Sequence, residues 1–298
     1  KETIREGALS ADDNGGVMAL VENTLFGVKD KIKIAIERLK AFEPKDGYYL
    51  AFSGGKDSVV IKELADMASV RYDAHYSLTT VDPPELVKFI KRQHPDVIID
   101  KPEETMWELI VRKRMPPTRI VRYCCDLLKE RHGIGRVVVT GVRWAESARR
   151  KTARGLVNIG SPKTGAILNN DNIESRRMVE SCYQKQKTLL NPIIDWSDDE
   201  VWEFIEKYNV EYCKLYDEGF SRLGCIGCPM AGSEGMEKDF ERWPMYKRFY
   251  IRAFQKMIEK RKADGLKTDW ETGEECMRWW INEKTPEDAP MYDLLEDL

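Results

Sequence analysis

Short apolar runs alternate with amphipathic segments along the first part of the chain. The runs typical of buried strands cover residues 47–52, 71–78, 96–99 and 136–140. Segments with helical spacing cover residues 21–42, 59–64 and 85–94. Strands that alternate with helices predict an α/β fold with a doubly wound parallel sheet, in which ligands bind at the carboxyl ends of the strands.

The pattern becomes richer in helices after Asn191. Ser197 precedes three acidic residues and predicts the start of a helix, because a serine caps and acidic side chains stabilise a helix N-terminus. Most of the eight tryptophans lie in this part of the chain, and aromatic residues at helical spacing are more typical of a core than of base stacking. Residues 155–172, rich in Gly, Asn and Ser, are predicted to form a mobile loop.

Length and cysteine content exclude some classes of protein. A chain of 298 residues can bury a hydrophobic core without disulfide bonds. The seven cysteines are odd in number, and the sequence shows neither an apolar leader nor an apolar run long enough to cross a bilayer. We therefore expect a cytoplasmic protein that makes no membrane contact and whose thiols are free or metal-bound.

The net charge of −3 conceals local basic clusters. One cluster precedes the first cysteines and comprises Arg112, Lys113, Arg114, Arg119 and Arg122. The other follows the fourth strand and comprises Arg143, Arg149, Arg150, Lys151 and Arg154. A solvated charged face is the alternative interpretation, but clusters on both sides of one site favour a polyanion as ligand.

A glycine-rich loop joins the first of these predicted strands to the next helix. It reads SGGKDS and consists of Ser53, Gly54, Gly55, Lys56, Asp57 and Ser58. Backbone N–H groups at a helix N-terminus attract anions, and the two glycines allow close approach to a phosphate. The serine hydroxyls and Lys56 can add hydrogen bonds and charge, whereas Asp57 would hold the loop or Mg²⁺. The spacing differs from that of a Walker A loop.

Four of the cysteines form a pattern. Cys124 and Cys125 are adjacent, and Cys225 and Cys228 form a C-x-x-C bordered by Gly224, Gly227 and Pro229. The ligand count fits either a [4Fe–4S] cluster or structural zinc. The remaining cysteines, Cys182, Cys213 and Cys276, have no such spacing and are interpreted as ordinary thiols.

These motifs together resemble the phosphoadenosine phosphosulfate (PAPS) reductase family, within the N-type ATP pyrophosphatases. The resemblance covers roughly residues 47–230. It rests on SGGKDS at 53–58, TTVDPPE at 79–85, the two cysteine motifs, GVRWAES at 141–147, NPIIDW at 191–196 and LYDEGF at 215–220. The resemblance implies an adenine nucleotide α-hydrolase-like fold and a [4Fe–4S] cluster on all four cysteines.

The resemblance also implies roles for individual residues. It places the nucleotide on the SGGKDS loop together with Thr80, Gly141 and Arg143, and Arg143 at its phosphate or sulfate end. Lys56, Asp57 and Arg143 are then the candidate catalytic residues. The chain divides into an N-terminal helical segment (1–45), a nucleotide-binding α/β domain (46–196) and a helical region carrying the C-x-x-C (197–298).

Three functions fit these motifs. An intact SGGKDS loop favours an ATP pyrophosphatase that makes AMP and pyrophosphate and activates an acceptor for sulfur incorporation, as in the DNA phosphorothioation systems that the sequence resembles most. The implied ligands and partners are ATP or adenylyl sulfate with Mg²⁺, DNA, a sulfur donor such as a cysteine desulfurase, and a second copy or partner subunit. An adenylyl sulfate reductase releasing sulfite is the second hypothesis, but such enzymes carry a further reactive cysteine in a C-terminal tail, unlike residues 290–298. A non-catalytic nucleotide and cluster sensor is the third.

Overall fold

The computed structural model of the chain describes residues 20–24, 27–160, 165–183 and 186–282. The strands in these residues are β1 (Val21–Thr24), β2 (Gly27–Asp30), β3 (Tyr48–Ala51), β4 (Tyr72–Ser77), β5 (Ile98–Asp100), β6 (Val137–Val139), β7 (Val157–Ile159), β8 (Ala166–Leu168) and β9 (Thr188–Leu190). The α-helices there are α1 (Lys31–Ala41), α2 (Lys56–Ala68), α3 (Pro84–Gln93), α4 (Met106–Lys113), α5 (Tyr123–Cys125), α6 (Ala148–Ala153), α7 (Ile173–Cys182), α8 (Asp198–Lys207), α9 (Gly232–Arg242), α10 (Pro244–Ala263) and α11 (Gly273–Asn282).

The central sheet has the strand order β5-β4-β3-β6-β9-β7-β8. Its first five strands are parallel, whereas β7 runs antiparallel to both β9 and β8. The predicted α/β class with a mostly parallel, doubly wound sheet is therefore confirmed. The antiparallel edge was not predicted.

The loop predicted over residues 155–172 is the main error in the fold. Strands β7 and β8 lie inside this stretch and pair with each other. All three residues of β7 are buried, and the Asn158 Oδ1 atom accepts hydrogen bonds from Gly155 N at 3.3 Å and Asn191 Nδ2 at 3.2 Å. The polar composition that suggested a loop instead supplies the bonds that hold the edge of the sheet.

The N-terminal helix begins later than predicted. Within the segment 1–45, residues 1–19 lie outside the described part of the chain, and the predicted helix over 21–42 starts only at Lys31 because β1 and β2 form a hairpin before it. The Asp30 carboxylate caps α1 by accepting from the N–H groups of Ile32 and Lys33. Lys31 then pairs with buried Glu200 and joins this helix to α8.

The helical region after Asn191 follows the sequence pattern closely. Ser197 forms a capping box with Glu200 at the start of α8, as predicted. Trp196 and Trp280 are buried, which confirms the interpretation of these aromatics as core. In the described parts of the chain, no helix combines the length and apolar character that a bilayer crossing requires.

An ion pair fastens α1 to the segment that precedes α8. The Asp195 carboxylate accepts from Arg38 Nη1 at 2.8 Å and from Nη2 at 3.1 Å, and Arg38 also donates to the Pro192 carbonyl. Burial opposes ionisation of Asp195, but the Arg38 hydrogen bonds and charge lower its pKa overall. The pair therefore stabilises the fold above the ordinary carboxyl pKa and loses this effect as the pH falls through the lowered value.

We expect Asp195→Asn to reduce the free energy of unfolding by about 2 kcal/mol at neutral pH, because a two-pronged, charged hydrogen bond is lost. The difference in unfolding free energy from wild type should narrow below about pH 4, where Asp195 of the unfolded chain takes up a proton, and should disappear as the pH falls through the lowered pKa of the folded protein. Urea unfolding from about pH 7 to about pH 3.5 measures this difference. The exposed Arg242–Glu218 pair at 3.0 Å provides the control, since Glu218→Gln should change the free energy of unfolding far less than Asp195→Asn does. A difference in unfolding free energy that does not change with pH would contradict a stabilising ion pair between Arg38 and Asp195.

Candidate functional site

The candidate site lies where the order of the strands reverses. The chain proceeds from β3 outward to β4 and β5, and then returns to place β6 on the other side of β3. Such a reversal opens a crevice at the carboxyl ends of the two adjacent strands. The SGGKDS loop follows β3 and Gly141 follows β6, so both predicted motifs meet at this crevice.

The SGGKDS loop is a tight connection into α2. Gly54 has a φ of +73°, and a Cβ there would lie 2.7 Å from Leu86 Cδ1, so a side chain is excluded. The Ser58 hydroxyl donates to the Gly55 carbonyl at 2.8 Å and also accepts from the Ser53 hydroxyl at 3.2 Å. These bonds fix the two serines within the loop and direct the start of α2 towards the crevice.

Lys56 is buried at the first position of α2 and is contacted by residues from the C-terminal region. Its N–H donates to the Tyr216 hydroxyl at 2.9 Å. Its Nζ lies 3.0 Å from Asp198 Oδ1 and 3.5 Å from the Ser221 carbonyl oxygen. The segment between α8 and the C-x-x-C thus covers the phosphate loop.

Arg143 and Asp57 connect β6 to the loop. Arg143 is 2% exposed, and its Nε lies 2.6 Å from Asp57 Oδ1. Its other nitrogens lie 2.8 Å from Asp198 Oδ1 and 3.3 Å from the Trp196 carbonyl oxygen. Gly141 makes this approach possible, because a Cβ there would stand 2.8 Å from Asp57 Cβ.

The two carboxylates of this network differ in their electrostatics. Burial raises the pKa of Asp57, although the charges of Arg143 and Lys56 oppose that rise. Burial also disfavours the ionised form of Asp198, but hydrogen bonds from Lys56 and Arg143 lower its pKa overall. Sequence reasoning treated Asp198 only as an acidic first-turn residue. Its two cationic partners are remote in the chain, so only the fold brings it to the site.

A second loop at the crevice follows β4. Thr80 adopts a φ of +68°, which is strained for a β-branched residue, and its hydroxyl accepts from Met106 N at 2.9 Å. The neighbouring Thr79 hydroxyl donates to Asp82 Oδ1 at 2.8 Å and lies 3.5 Å from Cys225 Sγ. This loop therefore links the nucleotide motif to the cysteines.

The C-x-x-C turn is held from two sides. Ile226 N donates to the Val81 carbonyl at 2.8 Å, and the Ile226 carbonyl accepts from the Tyr250 hydroxyl at 3.0 Å. Gly227 donates its N–H to Asp239 Oδ2 at 2.9 Å. A Cβ on Gly227, whose φ is +69°, would lie 2.4 Å from Phe240 Cζ, so this position requires glycine.

The adjacent cysteine pair lies on α5, which continues into a π-helical turn at Asp126–Glu130. A hydrogen bond from Cys124 lowers the pKa of the Cys125 thiol, burial opposes this, and the Arg122 guanidinium, 3.3 Å from the sulfur, lowers it further. The Cys124 thiol has the opposite shift, because that hydrogen bond and burial raise its pKa.

The four predicted cysteines lie near enough to one another for their charges to interact. The charges of Cys225 and Cys228 act on Cys124, and those of Cys225 and Cys125 act on Cys228. Lys129 lies beside them, since the charge of Cys225 raises its pKa. In the described parts of the chain, His, Cys, Asp and Glu side chains form no group of three arranged around a single metal ion.

A comparison with known sequences now assigns the family. The profile of the phosphoadenosine phosphosulfate reductase domain matches residues 47–231, which is well over half of the chain. The chain belongs to this family. The match spans the SGGKDS loop, the crevice and both cysteine motifs.

Individual relatives of this PAPS reductase family member are distant. An uncharacterised protein of Methanocaldococcus jannaschii is 29% identical over 260 residues, which cover 83% of this chain and 54% of that protein. The chain thus spans about half the length of this relative. An adenosine 5'-phosphosulfate reductase of Oceanobacillus iheyensis is 26% identical over 65% of this chain and 75% of its own. The PAPS reductase of Candida auris, solved as a phosphate complex, superposes with a TM-score of 0.43 at 16% identity over 64% of this chain and 87% of its own.

Three cysteines of this family member, among them Cys276, stand outside the two cysteine motifs of the sequence. Cys276 is fully buried in α11. Burial raises the pKa of its thiol. A buried, protonated thiol is a poor nucleophile.

The arginines of the two basic clusters have different charged neighbours. Arg112 pairs with Glu104, and Arg114 pairs with Asp264 at 2.8 Å. Burial lowers the pKa of Arg150, and the like charges of Arg222 and Arg154 lower it further, although Arg150 also pairs with Glu146. Arg150 therefore lies within electrostatic reach of two further arginines. Arg222 stands outside both basic clusters of the sequence, between Ser221 and Leu223.

Proposed function

We propose that the protein binds ATP at the SGGKDS loop, cleaves it to AMP and pyrophosphate, and thereby activates DNA for sulfur incorporation. The observation that carries this proposal is the contact between an intact phosphate loop and the segment that leads into the C-x-x-C. The Tyr216 hydroxyl accepts from Lys56 N and the Ser221 carbonyl accepts from Lys56 Nζ, and the chain continues from them to Cys225. This contact supports a function that uses the nucleotide motif and the cysteine motif together.

The groups at the crevice suit a nucleotide with a pyrophosphate leaving group. The N-terminus of α2 attracts the phosphates, and Lys56 and Arg143 supply two buried cations that offset their charge. Asp57 holds Arg143 against the loop, and Mg²⁺ arrives with the phosphates. The developing negative charge on pyrophosphate is stabilised by the same cations, which is the larger part of catalysis in phosphoryl transfer.

The proposed reaction has two displacements. An oxygen of the acceptor phosphodiester attacks the α-phosphorus of ATP, the bond from that phosphorus to the bridging oxygen of the β-phosphate breaks, and pyrophosphate leaves. A sulfur nucleophile at the oxidation level of hydrosulfide then attacks the acceptor phosphorus, and AMP leaves with the original acceptor oxygen. If the sulfur arrives as a persulfide, a thiol supplies the two electrons that release it.

The four cysteines fit a [4Fe–4S] cluster by their chemistry. Cys124, Cys125, Cys225 and Cys228 would hold it, and such a cluster supplies electron transfer or a rigid cross-link when it is bound. Arg122 and Lys129 lie beside the thiols and offset the negative charge that four thiolates bring. The Thr79 hydroxyl, which donates to Asp82, lies 3.5 Å from Cys225 Sγ and places a polar group beside this sulfur.

The Arg150, Arg154 and Arg222 group supports a polyanionic acceptor. Crowded like charges repel one another, so an added anion relieves the repulsion. Arg150 pairs with Glu146, as Arg112 and Arg114 pair with Glu104 and Asp264, so the repulsion from Arg154 and Arg222, and not a missing partner, distinguishes this group. We therefore place the DNA backbone along the crowded group, and no longer along both basic clusters of the sequence.

We expect the double variant Arg150→Gln, Arg222→Gln to bind duplex DNA at least about tenfold more weakly than wild type at low salt. The slope of log affinity against log salt concentration should fall by about 2, because binding releases about one counterion fewer for each arginine removed. Arg112→Gln, Arg114→Gln removes the same charge from paired positions and should bind nearly as wild type does. Fluorescence anisotropy across a salt series gives both quantities. Equal losses in the two double variants would contradict this placement.

Adenylyl sulfate reduction is the second candidate, because relatives such as the Oceanobacillus iheyensis protein bear that name. It requires a further reactive thiol, and Cys276 is buried. If the wild type does not bind DNA but releases sulfite from PAPS, the reductase function replaces the one proposed here.

A further inference from the structure

One carboxylate oxygen bridges the two buried cations of the phosphate loop. Asp198 Oδ1 lies 3.0 Å from Lys56 Nζ and 2.8 Å from Arg143 Nη2. The Tyr216 hydroxyl accepts the first N–H of α2 at 2.9 Å. Both contacts come from the region after β9, so the phosphate loop is occupied by groups of the protein's own C-terminal region.

This arrangement reproduces what a phosphate oxygen would do at the same place. An anionic oxygen shared by an ammonium and a guanidinium group is the usual geometry of phosphate recognition. The cations themselves are buried, with Lys56 6% and Arg143 2% exposed, whereas the side chain of Asp198 is 58% exposed. The carboxylate therefore covers the cations on their solvent side.

Each of the three nitrogens of the Arg143 guanidinium group already has a hydrogen-bond partner while Asp198 is in place. Its Nε binds Asp57, its Nη1 binds the Trp196 carbonyl and its Nη2 binds Asp198. Trp196 and Asp57 are held in the core and on α2. Asp198, on the exposed first turn of α8, is the partner that can leave at the lowest cost.

We propose that Asp198 is a built-in competitor for the phosphate site, which an incoming polyphosphate displaces from Lys56 and Arg143. The proposal rests on the proposed nucleotide-binding function and adds a regulatory step to it. Displacement frees the first turn of α8 and the adjoining segment that carries Tyr216 and leads to Cys225. The site then selects ligands with several negative charges, because a singly charged anion gains little by replacing an internal carboxylate.

The test is the affinity of inorganic pyrophosphate with Mg²⁺, measured by calorimetry. Asp198→Asn should bind it about five- to tenfold more tightly than wild type, because two ion pairs no longer compete. Asp199→Asn is the matched control, since it removes the same charge one residue further along the exposed helix start. We expect it to change affinity less than about twofold, which reflects only long-range attraction.

A second variant keeps the proposal testable if Asp198→Asn does not fold. Tyr216→Phe removes the hydroxyl from Lys56 N and should also tighten binding, by about twofold to threefold. If Asp198→Asn does not fold, as thermal melting would reveal, the result with Tyr216→Phe decides. Weaker pyrophosphate binding by Asp198→Asn or Tyr216→Phe, or equal gains in affinity for Asp198→Asn and Asp199→Asn, would overturn the competitor role of Asp198. In either case ATP binding by wild type would still uphold the proposed function. No binding of pyrophosphate or ATP by any of these proteins would overturn both.

Discussion

The Cys125→Ser variant, purified without oxygen, is expected to lose most of its iron and acid-labile sulfide, of which wild type should hold about four each per chain. The reason lies in the position of Cys125, whose thiol receives hydrogen bonds from Cys124 and Arg122 and is the readiest of the pair to ionise. Serine cannot replace a thiolate as a ligand to iron. The brown colour that thiolate-to-iron charge transfer produces should fade with the metal.

The same substitution should also lower the melting temperature by on the order of 10 °C, because a bound cluster contributes its binding energy to folding. The predicted ligands lie on α5 and on the C-x-x-C turn, so a bound cluster would join two distant parts of the chain. Cys182→Ser in α7 is the matched control and should keep its iron and its stability. Stoichiometric zinc without iron in wild type, or equal losses of iron in both variants, would disprove the cluster.

Gly141→Ala is expected to weaken ATP binding by about thirtyfold, equivalent to about 2 kcal/mol. The new methyl group would stand 2.8 Å from Asp57 Cβ and 3.1 Å from the Asp57 carbonyl, closer than real Cβ atoms come, so β6 and α2 must move apart. That movement separates Arg143 from Asp57 and from the phosphate loop.

Gly224→Ala is the control for this substitution. A Cβ at Gly224 would have no other atom within 4 Å, so the same chemical change should leave affinity within about twofold of wild type. Titration calorimetry with ATP and Mg²⁺ measures both variants, and thermal melting shows whether each remains folded. Unchanged affinity in Gly141→Ala would mean that the nucleotide binds elsewhere.

Local signals account for the parts of the fold that could be predicted. A glycine pair after an apolar run predicted a loop followed by a helix over residues 59–64, and α2 begins at Lys56, three residues earlier than predicted. Ser197 predicted the start of α8. In both cases the information lies within a few residues of the chain, because backbone freedom and capping are short-range effects.

Long-range pairing accounts for most of what was missed. Strands β7 and β8 have three residues each, too few to show an alternating pattern, and the buried Asn158 is satisfied only by Gly155 and Asn191. Helix α1 began late because a hairpin precedes it, and a polar hairpin with helical spacing cannot be distinguished by period alone.

The residues of the candidate site also divide into those that stand in local motifs and those that only long-range packing brings together. The loop residues and the four cysteines stand in motifs, and the sequence alone identified them. Asp198 and Tyr216 reach the crevice from the C-terminal region, and each belongs to a residue type that is common on surfaces. Their partners are set by the packing of α8 and the following segment over α2, which no local pattern encodes.

The products formed by anaerobically purified protein test the central claim most directly. The protein is incubated separately with ATP, adenylyl sulfate and PAPS, with Mg²⁺ and with or without duplex DNA, and nucleotides, pyrophosphate and sulfite are measured. We expect AMP and pyrophosphate to form in equal amounts from ATP, at a higher rate when DNA is present, and no sulfite to form from the sulfated nucleotides. Sulfite from adenylyl sulfate or PAPS, without AMP and pyrophosphate from ATP, would contradict the central claim.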